Sequence, residues 1–414
     1  MNSSNMLRRD FTICLLKEQL RCLTKGTRTA NLINWRGSHV KFSNVDNRLK
    51  LWDDSDYRKN GLIADGTDGS SHMDAVARLL AEHPEKKALT FLLCTDGVQI
   101  HKSNRKSAWP IFLVCEQIGL PHRFKKRNVI LYGLWHGVGK PPLRGMLRMV
   151  QGEIDEVNEQ GGIPVCNDGQ EFDCLVGVTK VTADTIGKAS STNQVQFNGE
   201  EGCCHWLARG TNITTPKGGN VRSYASSIDP PATRRTHKRL VRHARKATES
   251  GTKVHGVKGT PPVSELRVLD REKEVVVDEM HGGYLGVAKT ILGLWRKTLT
   301  DNQVNSITER MSLFKPPPLC NRPPENLELA TWRSSTFRGW VFDFWFPCCT
   351  GIIRPELLHH FALFTEAFTI LSATSIHPER DVDRARILIR NFQTDFTNHY
   401  CMLLEFAVFQ SGDP

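Results

Sequence analysis

Ala88-Leu-Thr-Phe-Leu-Leu-Cys-Thr-Asp-Gly97 is an apolar, strand-like run that closes on a carboxylate and a glycine. A carboxylate at the end of a buried strand, beside a glycine that lets backbone or ligand approach, is a common way to hold a divalent cation. A second run, Cys174-Leu-Val-Gly-Val-Thr-Lys-Val-Thr-Ala-Asp184, also closes on an acid. A third, Asp278, lies where Val275-Val-Val277 turns into a helix-like stretch after Met280-His281. Singly, each acid reads more readily as a solvated surface residue or a cap than as a ligand. Together they make a candidate site for phosphodiester chemistry, in which two cations about 3.5–4 Å apart activate the nucleophile and stabilise the leaving oxygen. Two bare carboxylates about 4 Å apart repel by about 4 kcal/mol at an effective dielectric of 20, so clustering them makes sense chiefly around a cation.

Working outward, Phe11–Leu23 has a short helical pattern, and the rest of residues 1–60 has no clear period. The spacing of Val76, Leu79 and Leu80 predicts an amphipathic helix over Met73–His83. Three runs of strand character follow at Ala88–Ile100, Trp109–Ile118 and Asn128–Trp135. Pro141-Pro142 restarts the chain, and Leu143, Met146, Leu147, Val150, Ile154 and Val157 repeat at helical spacing until Gly161-Gly162. Phe172–Ala183 is again a strand. The order strand, strand, strand, helix, strand is that of the ribonuclease H core, which wants acids where Asp96, Asp184 and Asp278 stand.

The predicted class is therefore α/β, a ribonuclease H-like mixed-sheet core over 61–300, with a polar, basic insertion at about 190–275. Gly283–Lys297 reads as a helix, Pro316-Pro-Pro318 and Pro323-Pro324 mark a linker at 301–328, and 329–414 is mostly α, with helices at Leu357–Leu371 and Val382–Tyr400. Trp332, Trp340 and Trp345 read as core residues rather than a base-stacking platform.

The bulk numbers fit a packed protein: 414 residues, 39% hydrophobic and 24% charged. A net charge of +11 favours a polyanionic partner, nucleic acid first. The twelve cysteines follow no secreted disulfide spacing, and no apolar span is long enough for a membrane. A reducing compartment, cytosol or nucleus, is expected.

Arg234 to Lys246 carries seven Lys/Arg and no acid. On a helix, Arg235, Lys238, Arg239, Arg242, Arg245 and Lys246 share one broad face with Arg234 just ahead, and Leu240, Val241, Ala244 and Ala247 lie opposite. Such a face tracks phosphates, although a solvated basic surface or a localisation signal has the same composition. His122–Arg127 is a second basic cluster. Cys203-Cys204-His205 offers zinc ligands, with Cys203 the candidate, but the chain has no CxxC. Gly137-Val-Gly-Lys140 lacks the spacing of a phosphate-binding loop.

Thr95-Asp-Gly97, Lys102-Ser103, Ser107-Ala-Trp-Pro110, Gly133-Leu-Trp135 and Lys140-Pro141-Pro142 occur in an order that resembles the transposase-related proteins of CACTA (En/Spm-like) DNA transposons. Phe197-Asn-Gly199, Gly202-Cys203, His255-Gly-Val-Lys-Gly259, Asp278-x-Met-His281, Leu285-Gly-Val287 and Leu294-Trp295 continue the likeness, which covers roughly 60–400. The resemblance implies a DDE/D-type transposase, nuclear, acting on transposon ends and target DNA with Mg²⁺ or Mn²⁺. Asp96 and Asp184 would be the first two acids and Asp278 the third, with Glu279 as its substitute. Self-association as a homo-oligomer stays open. The text departs from relatives at Asp184-Thr-Ile-Gly187, where a Pro-Ala pair is usual, and at Trp206, which stands where a second cysteine is expected. Such departures are those of an incomplete or decayed copy, so a catalytically inactive nucleic-acid-binding protein is the alternative.

Overall fold

Strand β4, Lys87–Thr95, lies at the centre of an eight-stranded mixed sheet in the order β1-β7-β6-β4-β9-β12. These strands are Asp10–Ile13 (β1), Lys106–Cys115 (β6), Val129–Val138 (β7), Gln170–Ala183 (β9) and Val275–Val277 (β12). Val98–Gln99 (β5) extends β6, and Ile163–Asn167 (β8) pairs with β9. His39–Ser43 (β2) and Arg48–Trp52 (β3) form a separate hairpin. This computed structural model describes residues 10–404, except 26, 34, 36–38, 44–47, 53–61, 100–105, 168, 215–219, 225–231, 319 and 321. The motif Lys102-Ser103 lies outside the described residues. The chain forms two units: 1–196 with 235–276, and 197–234 with 277–414.

In the first unit β4 is antiparallel to β6 and parallel to β9. Side chains alternate across a strand, so Leu89, Phe91 and Leu93 face the main core while Ala88 packs with Val76, Leu80 and Leu175 on the other side. Burial on both faces explains why the run reads as continuously apolar rather than alternating. The main core is closed by helices α1 (Leu16–Lys25) and α5 (Leu143–Glu159); the opposite face is covered by α3 (Ser70–Leu79). Met146, Leu147, Val150, Ile154 and Val157 of α5 are all buried, as their spacing predicts. Short helices α2 (Thr27–Ala30) and α4 (Leu120–Arg123) complete the frame.

Two expectations change here. The helical pattern at Phe11–Leu23 is split: Asp10–Ile13 pairs with β7, and the helix begins at Leu16, where Glu153 of α5 accepts from the Leu16 N–H at 2.7 Å. Part of residues 1–60, which the sequence leaves unassigned, thus belongs to the core through Leu16, Leu20, Leu23 and Ile33. Residues 190–275 are also not one insertion. After 234 the chain returns to the first unit, and Val263, Leu266, Leu269 and Val275 pack into its core.

The second unit carries a small hairpin, Thr211–Thr214 (β10) with Asn220–Ser223 (β11), and is otherwise mostly helical. A π-helical stretch, Met280–Ala288, runs into α8 (Lys289–Thr298). Helix α9 (Asp301–Leu313) occupies the first half of the expected linker and buries Ile307 and Met311, so the irregular segment begins only near Phe314. Its capping box, Thr300 with Gln303, is a start signal that the neighbouring prolines obscured. Helices α10 (Ser334–Gly339), α11 (Trp345–Cys349), α12 (Pro355–Leu371) and α13 (Arg380–Leu404) complete an aromatic core. Trp332, Trp340 and Trp345 belong to that core, with Trp345 edge-on to Phe361 at 5.2 Å.

Candidate functional site

The β4 terminus is built around a steric fit. A Cβ placed on Gly97 would lie 2.5 Å from Cζ2 of Trp109, so only glycine lets that indole lie flat against the turn. Trp109 is held in turn: its Nε1 donates to Ser107 Oγ at 2.9 Å, and Ser107 Oγ donates to the Gly139 carbonyl at 3.5 Å. Thr95-Asp-Gly97, Ser107–Pro110 and Gly139-Lys140 are thus one mesh at one end of the sheet. Asp96 is exposed there, its Oδ1 accepting from the Gly97 N–H at 2.7 Å.

Asp184 ends the neighbouring strand. Register pairs Cys94 with Thr182, so Asp96 and Asp184 each lie two residues beyond a matched pair, at the same end of adjacent parallel strands. Paired strands are about 4.8 Å apart. Asp184 also caps helix α6 (Thr185–Ser191), its Oδ1 accepting from the Gly187 N–H. Each acid thus has one oxygen held by local backbone and a second outside any hydrogen bond among the described residues. Thr95 Oγ1, next to Asp96, is buried with no partner among them. Hard oxygen donors with unfilled lone pairs fit Mg²⁺ or Mn²⁺, which take one or two carboxylates and keep several waters. Among the described residues no cluster of three or more His, Cys, Asp or Glu is arranged to hold a metal.

Asp278 belongs to the second unit and is engaged by its own helix. Its Oδ1 accepts from the His281 N–H at 2.8 Å, and its Oδ2 meets His281 Nδ1 at 2.7 Å. Glu279, its substitute, accepts from the Tyr284 hydroxyl. The geometry of Asp278 is that of an N-cap reinforced by an imidazole.

The basic segment forms helix α7, His237–Ser250, capped by Thr236 and closed by Gly251 at φ +66°. Lys238, Arg242, Arg245 and Lys246 are exposed, Arg239 is half-buried, and Arg234 is exposed ahead of the helix. Arg235, expected on the same face, is instead wholly buried, with its Nη1 donating to the His255 carbonyl at 2.7 Å. Val241, expected among the packed residues, is 38% exposed, and His243 takes the buried place with Leu240, Ala244 and Ala247. The helix begins at residue 237, so Arg235 lies outside its periodicity. The His243 ring packs on that of His255, 4.7 Å between centroids. Burial, then the charges of His255, Arg242, Arg235 and Lys246, lower the His243 pKa to about 4.

A buried charged group escaped the sequence reading. Glu116 accepts from Thr179 Oγ1 and Lys180 Nζ, and His72 Nδ1 lies 3.5 Å away. Burial alone would raise the Glu116 pKa, but the His72 hydrogen bond and the Lys180 charge outweigh it and hold the carboxyl well below its usual range. Arg123, one of the second basic cluster, is likewise internal and forks onto Asp65, with Nη1 to Oδ1 at 2.8 Å. Thr179 is the extra residue of a β-bulge opposite Phe91/Leu92, a local irregularity that alternation alone does not reveal.

Cys203 is half-buried in the second unit. No protein-family model matches the chain, and no curated protein does either.

Proposed function

We propose that this chain is a ribonuclease H-like, transposase-related protein that acts on DNA through a divalent-cation site at Asp96 and Asp184. The observation that carries the reading is the pair's position at the same end of adjacent parallel strands, each carboxylate with one oxygen outside any hydrogen bond among the described residues. The β7-β6-β4-β9 order, with α5 and the short strand β8 between the antiparallel strands and β9, supports the ribonuclease H-like assignment. Bound Mg²⁺ or Mn²⁺ would activate the attacking hydroxyl and stabilise the departing oxygen of a phosphodiester. Asp96 and Asp184 would hold the cation, with the Gly97 and Gly187 N–H groups fixing their orientation. The exposed cations of α7 would contact DNA phosphates, consistent with a nuclear protein.

The test is Mg²⁺- or Mn²⁺-dependent cleavage of DNA carrying the element's inverted ends, with loss of cleavage in Asp96→Asn. A second reading, a nucleic-acid-binding protein without catalysis, is favoured by Asp278, whose two oxygens are both occupied by His281. DNA binding that persists in Asp96→Asn, with no cleavage by the wild type, would select it.

A further inference from the structure

Between the carboxylate pair and the basic helix, the first unit has a run of contacts that neither feature explains alone. Lys140 Nζ donates to Ser190 Oγ at 3.3 Å, on the helix that Asp184 caps. Ser190 is six residues from Asp184, about 9 Å along a helix. Just past that helix, Asn193 Nδ2 donates to the Thr260 carbonyl at 3.2 Å, and its own carbonyl accepts from the Lys258 N–H at 2.9 Å. Thr260 Oγ1 meets Thr248 Oγ1 of α7 at 3.4 Å. On α7, Thr248 stands one turn from Arg245, on the flank of the exposed face that Lys238 and Arg242 share.

Gly259 sits at this junction with φ +147°, a backbone conformation strained for any side chain, and a Cβ there would be in ordinary contact with Thr248 Oγ1 at 3.4 Å and Asn193 Nδ2 at 3.5 Å. The stretch His255–Gly259 therefore fastens α7 beside the end of α6. Lys140, Lys258, Lys238 and Arg242 are exposed along this path, and none has a carboxylate partner among the described residues. By contrast Arg144 and Arg148 are turned onto Glu265. Cations without a carboxylate partner, carried on segments that these hydrogen bonds link from α6 to α7, suit a sugar-phosphate backbone, whose charges recur at short regular intervals.

We propose that Lys140 and Lys258 join the carboxylate pair to the basic face of α7 as one track for a single nucleic-acid strand. The proposal rests on the reading of Asp96 and Asp184 as the reaction centre, but its test does not depend on cleavage. Single-stranded DNA oligonucleotides from 4 to 30 nucleotides are bound to the full chain carrying Asp96→Asn, in EDTA, across a salt series. Each lost phosphate contact lowers the slope of log K against log salt by about 0.7, or about fivefold in affinity at 0.1 M.

Lys140→Ala with Lys258→Ala is expected to weaken binding of the long oligonucleotide about 25-fold and to lower the slope by about 1.4. The shortest oligonucleotides, unable to span both ends, should respond to that pair or to Lys238→Ala/Arg242→Ala, but not additively to both. If the Lys140/Lys258 variant binds the long strand with unchanged affinity and slope while the α7 variant is weakened, the track is refuted. Equal losses at every length would also refute it, because the two groups would then be independent sites. Circular dichroism of each variant identifies any loss caused by misfolding, and Lys140→Arg/Lys258→Arg should restore binding in a genuine track.

Discussion

Gly97 lies directly against the indole of Trp109, and a single added carbon would come within 2.5 Å of the ring. The carboxylate of Asp96 is therefore aimed by a packing constraint on its neighbour. Gly97→Ala should displace Trp109 and cost about 1–3 kcal/mol, the usual range for overpacking. Tryptophan fluorescence and urea unfolding would check this; an unaltered spectrum with unaltered stability would show that the indole does not pack there.

Glu116 is the hub of the buried polar group, and removing it takes the carboxylate away from Lys180 Nζ, from the Thr179 hydroxyl and from beside the His72 ring. Glu116→Ala is expected to destabilise the first unit by roughly 3–5 kcal/mol, as when one member of a buried pair is deleted. The carboxyl is held below its usual range in the folded state. Its stabilisation is therefore complete above the unfolded pKa of about 4.3 and is lost as pH falls further towards the folded value. Urea midpoints of wild type and variant should converge in strong acid.

His243 has the opposite chemistry but the same sign. Its folded pKa is depressed to about 4 by burial, then by His255 and the surrounding cations. The unfolded chain takes up that proton near pH 6.5, so stability falls as pH drops from about 6.5 to about 4. Replacing His243 with Gln should flatten the pH 7 to 5 part of the stability curve. Equal slopes in the two proteins would place the titration elsewhere.

The pattern of β4, β6, β7, α5 and β9 was legible because each is a long element with a clear apolar period. The positions of Asp96 and Asp184 at strand ends were legible for the same reason, since they follow directly on β4 and β9. Arg235 was misplaced because periodicity was extended two residues before the helix start. The Glu116 group was invisible because its members, Asp65, His72, Glu116, Arg123 and Lys180, are far apart in sequence and polar. Nothing local distinguishes them from surface residues; only the return of α3 over the sheet, and the bulge at Thr179, brings them inside.

Asp278 offers a discrimination between cap and ligand. Asparagine caps a helix about as well as aspartate, whereas alanine typically costs about 1 kcal/mol. Asp278→Asn should therefore retain the stability of the second unit and Asp278→Ala should lose about that amount, read by urea unfolding. If Asp278 serves only as a cap, Asp278→Asn also leaves DNA cleavage intact; a stable but inactive Asp278→Asn would make it a ligand.

The proposed reaction centre requires Asp96 and Asp184 to hold one cation between them. Mn²⁺ binding to the full chain, followed by electron paramagnetic resonance of the unbound ion, tests it most directly. A shared ion should be lost severely in Asp96→Asn and in Asp184→Asn alike, with the double variant no worse than either single one. A wild-type chain that takes up no Mn²⁺, or single variants whose losses simply add, would contradict it.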